Sequence, residues 1–504
     1  MGALEHVPVA AMDPHRFRSL IAPAQYAVLL DLIDRSARSL QGRVIWNVNS
    51  TAKGGGVVEL LRPLLGYSRG SGVDARWMVI SADPEFFITT KRLHNHLHGV
   101  GGDGGSLSSG ERVIYERALA PNARELSQLV RPHDVVILHD PQTAGLVPAA
   151  HDTGATVIWR CHVGLDHDNA RAREAWDFLR PYLRDADALV FSRSAFVWDA
   201  LPGEKIAVIQ PSIDPFAPKN AEQSDAQSLA ILARARLTDH VAAGHATFTR
   251  ADGTPGRVDR RAEMVEVMPV AAGERLVLQV SRWDALKDPL GVLHGFAHHV
   301  AGATDAHLML AGPATAAVAD DPEGAAVFAS VREAWHGLSH DVRRRVHLAA
   351  LPMDDPDENA AIVNALQRRA DIVVQKSLAE GFGLTVAEAM WKRQAVLATR
   401  VGGIQDQIVP GESGILLDDP RNLAEFGSAL VGLLEEPARR RRLGDAAHER
   451  VRQQFLGPRH LGRYFELIER LTGSAPSGPR TGPARSSGRP AAASRMPGSA
   501  AGEA

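Results

Sequence analysis

Short apolar runs rich in Val and Ile alternate with helix-forming segments along this chain, and no other feature restricts the fold as much. In the first half they are Val44 to Val48, Trp77 to Ile80, Val135 to Leu138, Thr156 to Trp159, Ala188 to Phe191 and Ile206 to Ile209. In the second half they are Leu276 to Val280, His307 to Leu310, Arg345 to Leu348, Ile372 to Val374 and Ala395 to Ala398. Runs apolar at nearly every position suit strands buried on both faces, which means parallel sheets covered by helices. The chain's 504 residues exceed what one core supports. The expected fold is therefore α/β, with two doubly wound, Rossmann-like domains and a cleft between them. The expected division is 1–214 and 273–455 for the two domains, with 215–272 as an insertion near the linker. That insertion is polar and turn-rich, with a helix near Ala226 to Leu237. An amphipathic helix at 456–473 is expected to pack back on a domain, the first being the candidate. The Pro, Gly, Ser, Ala and Arg-rich tail at 474–504 is expected to be disordered.

Ligands of such folds bind at the carboxyl ends of strands, in the interdomain cleft. The run Ile372 to Val374 leads into a turn with Glu380, Gly381, Phe382, Gly383 and Leu384, then a helix expected over Thr385 to Trp391 that carries Glu388. A glycine-flanked helix N-terminus offers unpaired amides and the positive end of the helix dipole, so Gly383, Leu384 and Thr385 suit a diphosphate. Glu380 then faces whatever the diphosphate carries, and Glu388 suits ribose hydroxyls. Thr385 and Glu388 also fit a capping box, in which Glu388 reaches back to its own helix start. Both readings are open at this stage.

Other strand ends carry matching chemistry. After Val44 to Val48, the glycines Gly54, Gly55 and Gly56 permit close backbone approach to an anion. They form neither GxGxxG nor a P-loop. Thr156 to Trp159 ends in Arg160 and His162, and the preceding strand ends in His139, Asp140 and Gln142; Asp140 also suits a helix cap. Past Leu276 to Val280, Arg282 and Lys287 suit neutralisation of a departing diphosphate. Gly312 and the Gly402–Gly403 turn add close-approach points on that rim.

Composition excludes several classes. A formal net charge of −3 gives no field for nucleic acid or an anionic membrane. No apolar run approaches the roughly 18 residues of a bilayer span. The amino-terminal residues do not read as a secretory signal, and the single Cys161 suits a reducing cytoplasm. No metal is expected. The Asp pairs 320/321, 354/355 and 418/419 follow no apolar strand, and His94, His96 and His98 lack a completing cluster.

Together these residues resemble the retaining glycosyltransferases of the GT-B fold, in family four. The likeness rests on Glu380 and Glu388 in EGFGLTVAE, on Arg282 and Lys287, on the 54–56 loop and on His162. The segments GGGVVELLRPLL, FFITTKRLHNHLHG, WRCHVGLD, QPSIDPFAPKN and QVSRWDALKD look like those of trehalose-forming glycosyltransferring synthases, a group close to retaining trehalose phosphorylases. The resemblance implies glucose transfer from UDP- or ADP-glucose to glucose, with no further cofactor. It implies that Glu380 binds the transferred sugar, Glu388 the ribose, Arg282 and Lys287 the diphosphate, and His162 the donor sugar. Gly381, Phe382, Gly383, Leu384, Thr385 and Gly312 line the donor. Asp140, Gln142, Arg160, Lys91 and Asn95 fall on the acceptor side. Trehalose phosphorolysis, another acceptor, a nucleotide-sugar epimerase and a non-catalytic nucleotide-sugar sensor stand as alternatives, and monomer or homodimer is left open.

Overall fold

The structure is a computed structural model that describes residues 3–239, 244–314 and 322–473. The tail expected to be disordered, and Asp320 and Asp321, lie outside the described residues.

The first sheet holds β1 (Leu4–Val7), β2 (Val44–Asn49), β3 (Asp74–Ile80), β4 (Val135–His139), β5 (Thr156–Cys161), β6 (Ala188–Phe191) and β7 (Ile206–Val208). Its spatial order is β1-β3-β2-β4-β5-β6-β7, all parallel except the edge strand β1. β8 (Thr247–Thr249) and β9 (Pro255–Arg257) form a separate hairpin. The second sheet holds β10 (Glu263–Val265), β11 (Leu276–Val280), β12 (His307–Pro313), β13 (Val346–Leu351), β14 (Ile372–Gln375), β15 (Ala395–Thr399) and β16 (Ile415–Leu417). Its order is β10-β13-β12-β11-β14-β15-β16, parallel except for the edge strand β10. Part of 215–272 therefore belongs to the second sheet.

The central strands β2, β4, β5, β12, β13, β14 and β15 are buried almost throughout, as parallel strands between two helix layers must be. Each sheet reverses its winding once: between β2 and β4 in the first, and between β11 and β14 in the second. Crevices open at such reversals, outside the carboxyl strand ends.

The last described helix, Gly457–Leu471, lies against the first unit, where Glu469 meets Arg35 and Ser39. Just before it, Leu456 bridges in parallel to Ile213, and Ile213 N–H donates to Phe455 O at 2.9 Å. No helix among the described residues is long and apolar enough to cross a membrane.

Candidate functional site

Both reversal points carry the polar residues singled out in the sequence, and they face each other. At the second, the loop after β11 and the loop after β14 meet: Lys287 Nζ lies 2.5 Å from Glu380 Oε2. Ser377 Oγ reaches the same carboxylate oxygen at 3.4 Å. Asp284 caps the turn that carries Lys287, accepting from Leu286 N–H at 2.8 Å, and pairs with Arg282 at 3.1 Å. Burial opposes the charge on Asp284, but Arg282 and Lys287 hold its carboxyl below the ordinary range. Beneath this turn Lys376, 1% exposed, pairs with Asp288. Asp288 adopts left-handed backbone (φ 49°) and caps the helix Pro289–His299 by accepting from Gly291 N–H.

The helix after Glu380 runs Leu384–Trp391, one residue earlier than the Thr385 start read from the sequence, and its N-cap is Gly383 at φ 85°. The capping-box reading of Glu388 fails. With Gly383 as cap, Glu388 lies beyond the first turn and its buried carboxylate faces Lys219 at 3.8 Å. Burial raises the Glu388 carboxyl, Lys219 pulls it down and Glu59 reinforces the rise. Gln407 Nε2 donates to the carbonyls of Phe382 and Gly383, which fixes the turn, and Phe382 packs on Phe455.

Across the cleft, Gly55 caps the helix Gly56–Gly70 at φ 83°. A Cβ on Gly56 would lie 3.5 Å from Leu384 Cδ1, so the two glycine-flanked helix starts are neighbours. The positive ends of two neighbouring helices favour negative charge between them. His162 sits against the same turn, since a Cβ on Gly381 would fall 2.6 Å from His162 O. The His162 ring bonds His139 (3.2 Å), which bonds Asn47 Oδ1 (3.1 Å). Asp140 does not cap its own short helix but accepts from His162 N–H at 2.7 Å. Burial, with Arg160 adding to it, holds the His162 and His139 imidazoles well below their ordinary range, so both are neutral.

Some expected residues stand elsewhere. Arg160 is fully buried and donates to Ser192 Oγ at 3.0 Å, so it presents no surface to a sugar in this form. Gly312 is a glycine because a Cβ there would come within 2.6 Å of the Trp283 ring. Asn95 is buried against Gly102. Lys91 spans the units to Glu323 at 3.9 Å. Gln142 is half-buried beside Asp140, with Oε1 turned inward.

Four residues that the sequence reading passed over belong to the site's frame. His98 is buried where the charges of Glu380, Lys287 and Asp284 act on it. The sequence offers it only as a metal ligand without a completing cluster, and no group of three or more His, Cys, Asp or Glu able to hold a metal occurs among the described residues. Lys376 and Lys219 gave no signal beyond their charge. Arg193, in the first unit, pairs with Asp166 and with Asp406 of the second (3.1 Å), and donates to Gly402 O; Asp166 in turn accepts from Gly402 N–H.

A family model described as "Trehalose synthase, N-terminal domain" matches residues 47–198, and one described as "Glycosyl transferases group 1" matches residues 351–450. The chain is similar to the trehalose synthase of Pyrococcus horikoshii, 32% identical over 441 residues covering 88% of this chain and 93% of that protein. It is similar to the trehalose synthase of Rubrobacter xylanophilus, 32% identical over 468 residues covering 91% and 96%. Among solved structures, a UDP-forming α,α-trehalose-phosphate synthase from Burkholderia vietnamiensis shares the fold, with TM-score 0.62 and 15% identity, covering 86% of this chain and 100% of that one.

Proposed function

This chain belongs to the trehalose synthase family of GT-B glycosyltransferases, and from that premise we propose how its cleft forms trehalose. The donor is a nucleoside diphosphate glucose and the acceptor is glucose. The ion pair of Lys287 and Glu380, set at the second reversal point opposite His162 and the glycine loop, is the observation that carries the reading.

The diphosphate takes the space between the two helix starts, with Lys287 and Arg282 as its cations. Glu380 binds hydroxyls of the transferred glucose, and neutral His162 contacts the same sugar. Glu388 accepts from the ribose. The bond between C1 and the diphosphate oxygen breaks while the acceptor's anomeric hydroxyl attacks the same face of C1. The departing phosphate oxygen takes the acceptor's proton, leaving trehalose and a nucleoside diphosphate. Such a step needs positioning and charge stabilisation rather than a carboxylate nucleophile. No cofactor beyond the donor enters this scheme.

The test is to incubate the purified protein with glucose and UDP-, ADP- or GDP-glucose, with and without inorganic phosphate, and to identify products by NMR. Trehalose formed with release of nucleoside diphosphate, independently of phosphate, supports the reading. Trehalose cleavage that requires phosphate assigns phosphorolysis instead. Donor binding without product, or inversion at a ring carbon without transfer, refutes transfer altogether.

A further inference from the structure

Lys219 lies in the connecting segment at 215–272, for which the sequence suggested no role. Its surroundings bolt it to the second unit. Asn364 Nδ2 donates to Pro218 O (3.0 Å) and Ala221 O (2.8 Å), and Trp391 Nε1 donates to Asn220 O (3.2 Å). Lys392 Nζ, itself buried, donates to Asn220 Oδ1 (3.1 Å), Gln367 Oε1 (2.8 Å) and Glu388 O (3.1 Å). Asn364 lies in the helix Pro356–Arg369, Trp391 ends the helix Leu384–Trp391 and Lys392 is its C-cap, so the backbone on both sides of Lys219 is tied to the body that carries Glu388.

From that anchored position the Lys219 ammonium stands 3.8 Å from Glu388 Oε1 and 2.5 Å from Glu59 Oε1. Glu59 lies in the first turn of the helix that follows the glycine loop. A buried carboxylate with no cation beside it tends to take a proton, and a protonated Glu388 is a weaker acceptor for hydroxyl groups. One lysine shared by two carboxylates leaves acceptor capacity on Glu388, whereas a close bidentate clamp would consume it.

We infer that Lys219 is a positioning residue of the ribose subsite, keeping the Glu388 carboxylate ionised and oriented to accept from the hydroxyls of a nucleoside diphosphate. The inference rests on the reading of Glu388 as the ribose acceptor.

The two are tested together by isothermal titration of UDP and ADP, each beside its 2′,3′-dideoxy analogue, into the wild-type protein and into Glu388→Gln, Lys219→Met and Lys219→Arg. The wild type is expected to prefer the ribonucleotide by about tenfold or more, and Glu388→Gln to bring that ratio within about twofold of unity. Lys219→Met should lower the ratio to within about threefold of unity, and Lys219→Arg should restore most of it. Should Lys219→Met not fold, as judged by circular dichroism, Lys219→Gln is read against the same thresholds. A Lys219→Met protein that keeps the wild-type ratio while Glu388→Gln loses it overturns the role of Lys219 and leaves the ribose reading standing. Equal weakening of ribonucleotide and dideoxynucleotide, the signature of a merely loosened structure, overturns it too. A wild-type ratio near one removes the ribose reading and the inference with it.

Discussion

Lys287 Nζ and Glu380 Oε2 stand 2.5 Å apart, so the cation after β11 and the carboxylate after β14 form one ion pair. Each is the other's partner until a donor arrives. In the proposed scheme a diphosphate would compete for the ammonium as sugar hydroxyls approach the carboxylate, and binding would exchange one set of charge-assisted bonds for another.

Lys287→Ala and Glu380→Ala are each expected to lower kcat/KM for trehalose formation by about 100-fold or more. Because the residues act as a unit, the double variant should lose much less than the product of the single losses. Steady-state kinetics, with circular dichroism to confirm folding, measure both. Either single variant retaining activity within threefold of wild type would remove these residues from the chemistry.

Gly402 is the tightest contact on the Glu380 loop. A Cβ there would fall 1.7 Å from Glu380 O, and the residue's φ of 49° already lies in the left-handed region. Gly402→Ala must therefore displace Glu380, with an expected kcat loss approaching that of Glu380→Ala and a stability cost of about 2 kcal/mol. Gly273→Ala, where a Cβ meets nothing within 4 Å, is the control and should keep wild-type activity.

Arg193 holds Asp166 of the first unit and Asp406 of the second around the Gly402 amide and carbonyl. Arg193→Ala leaves two carboxylates facing each other across the cleft. The expected result is a wider resting cleft, visible as a larger radius of gyration in small-angle scattering. KM should rise for donor and acceptor alike, by about tenfold, with donor hydrolysis increased. An unchanged scattering profile would count against a clasp.

Acid should unfold this protein early. Burial above all holds His98 down to about 4 and both His139 and His460 down to about 3. An unfolded histidine takes its proton near 6.5. Between those values the unfolded chain binds more protons, so these histidines add stability that is present above about pH 6.5 and lost as pH falls. Asp140, pushed by burial up to about 7, acts in the opposite direction, its contribution falling as pH rises from about 4 to 7. The three histidines outweigh it, and thermal unfolding followed from pH 4 to 6.5 should show Tm rising. A His139→Gln variant should show a shallower rise.

The strands that build both sheets were legible because burial on two faces leaves an apolar run with little ambiguity. The edge strands β1, β10 and β16 were not; ILL of β16 is only three residues long, is defined by its parallel pairing with β15, and puts Asp418 and Asp419 directly after an apolar strand, against the expectation. LEHV and EMV are short, half-exposed and antiparallel, and only their pairing with β3 and β13 defines them. At the site, residues placed directly after a strand could be read, because the strand end itself locates them: Glu380, Lys287 and His162 fall in one cleft. Lys219, Arg193 and His98 owe their places to contacts between distant segments, which no local pattern encodes. Glu388 was read with two roles, and a helix start one residue earlier than its sequence suggested decided against the cap.

The chain passes between the two units at Ile213 and returns at Leu456, and the two passages lie side by side as a bridged pair. A single tether would let one unit swivel freely, but two adjacent, mutually bonded tethers define a line. A hinge motion that kept both passages bonded would be a rotation about that line, and such a rotation would bring Glu380 and Lys287 back to the same register against His162 and the glycine loop.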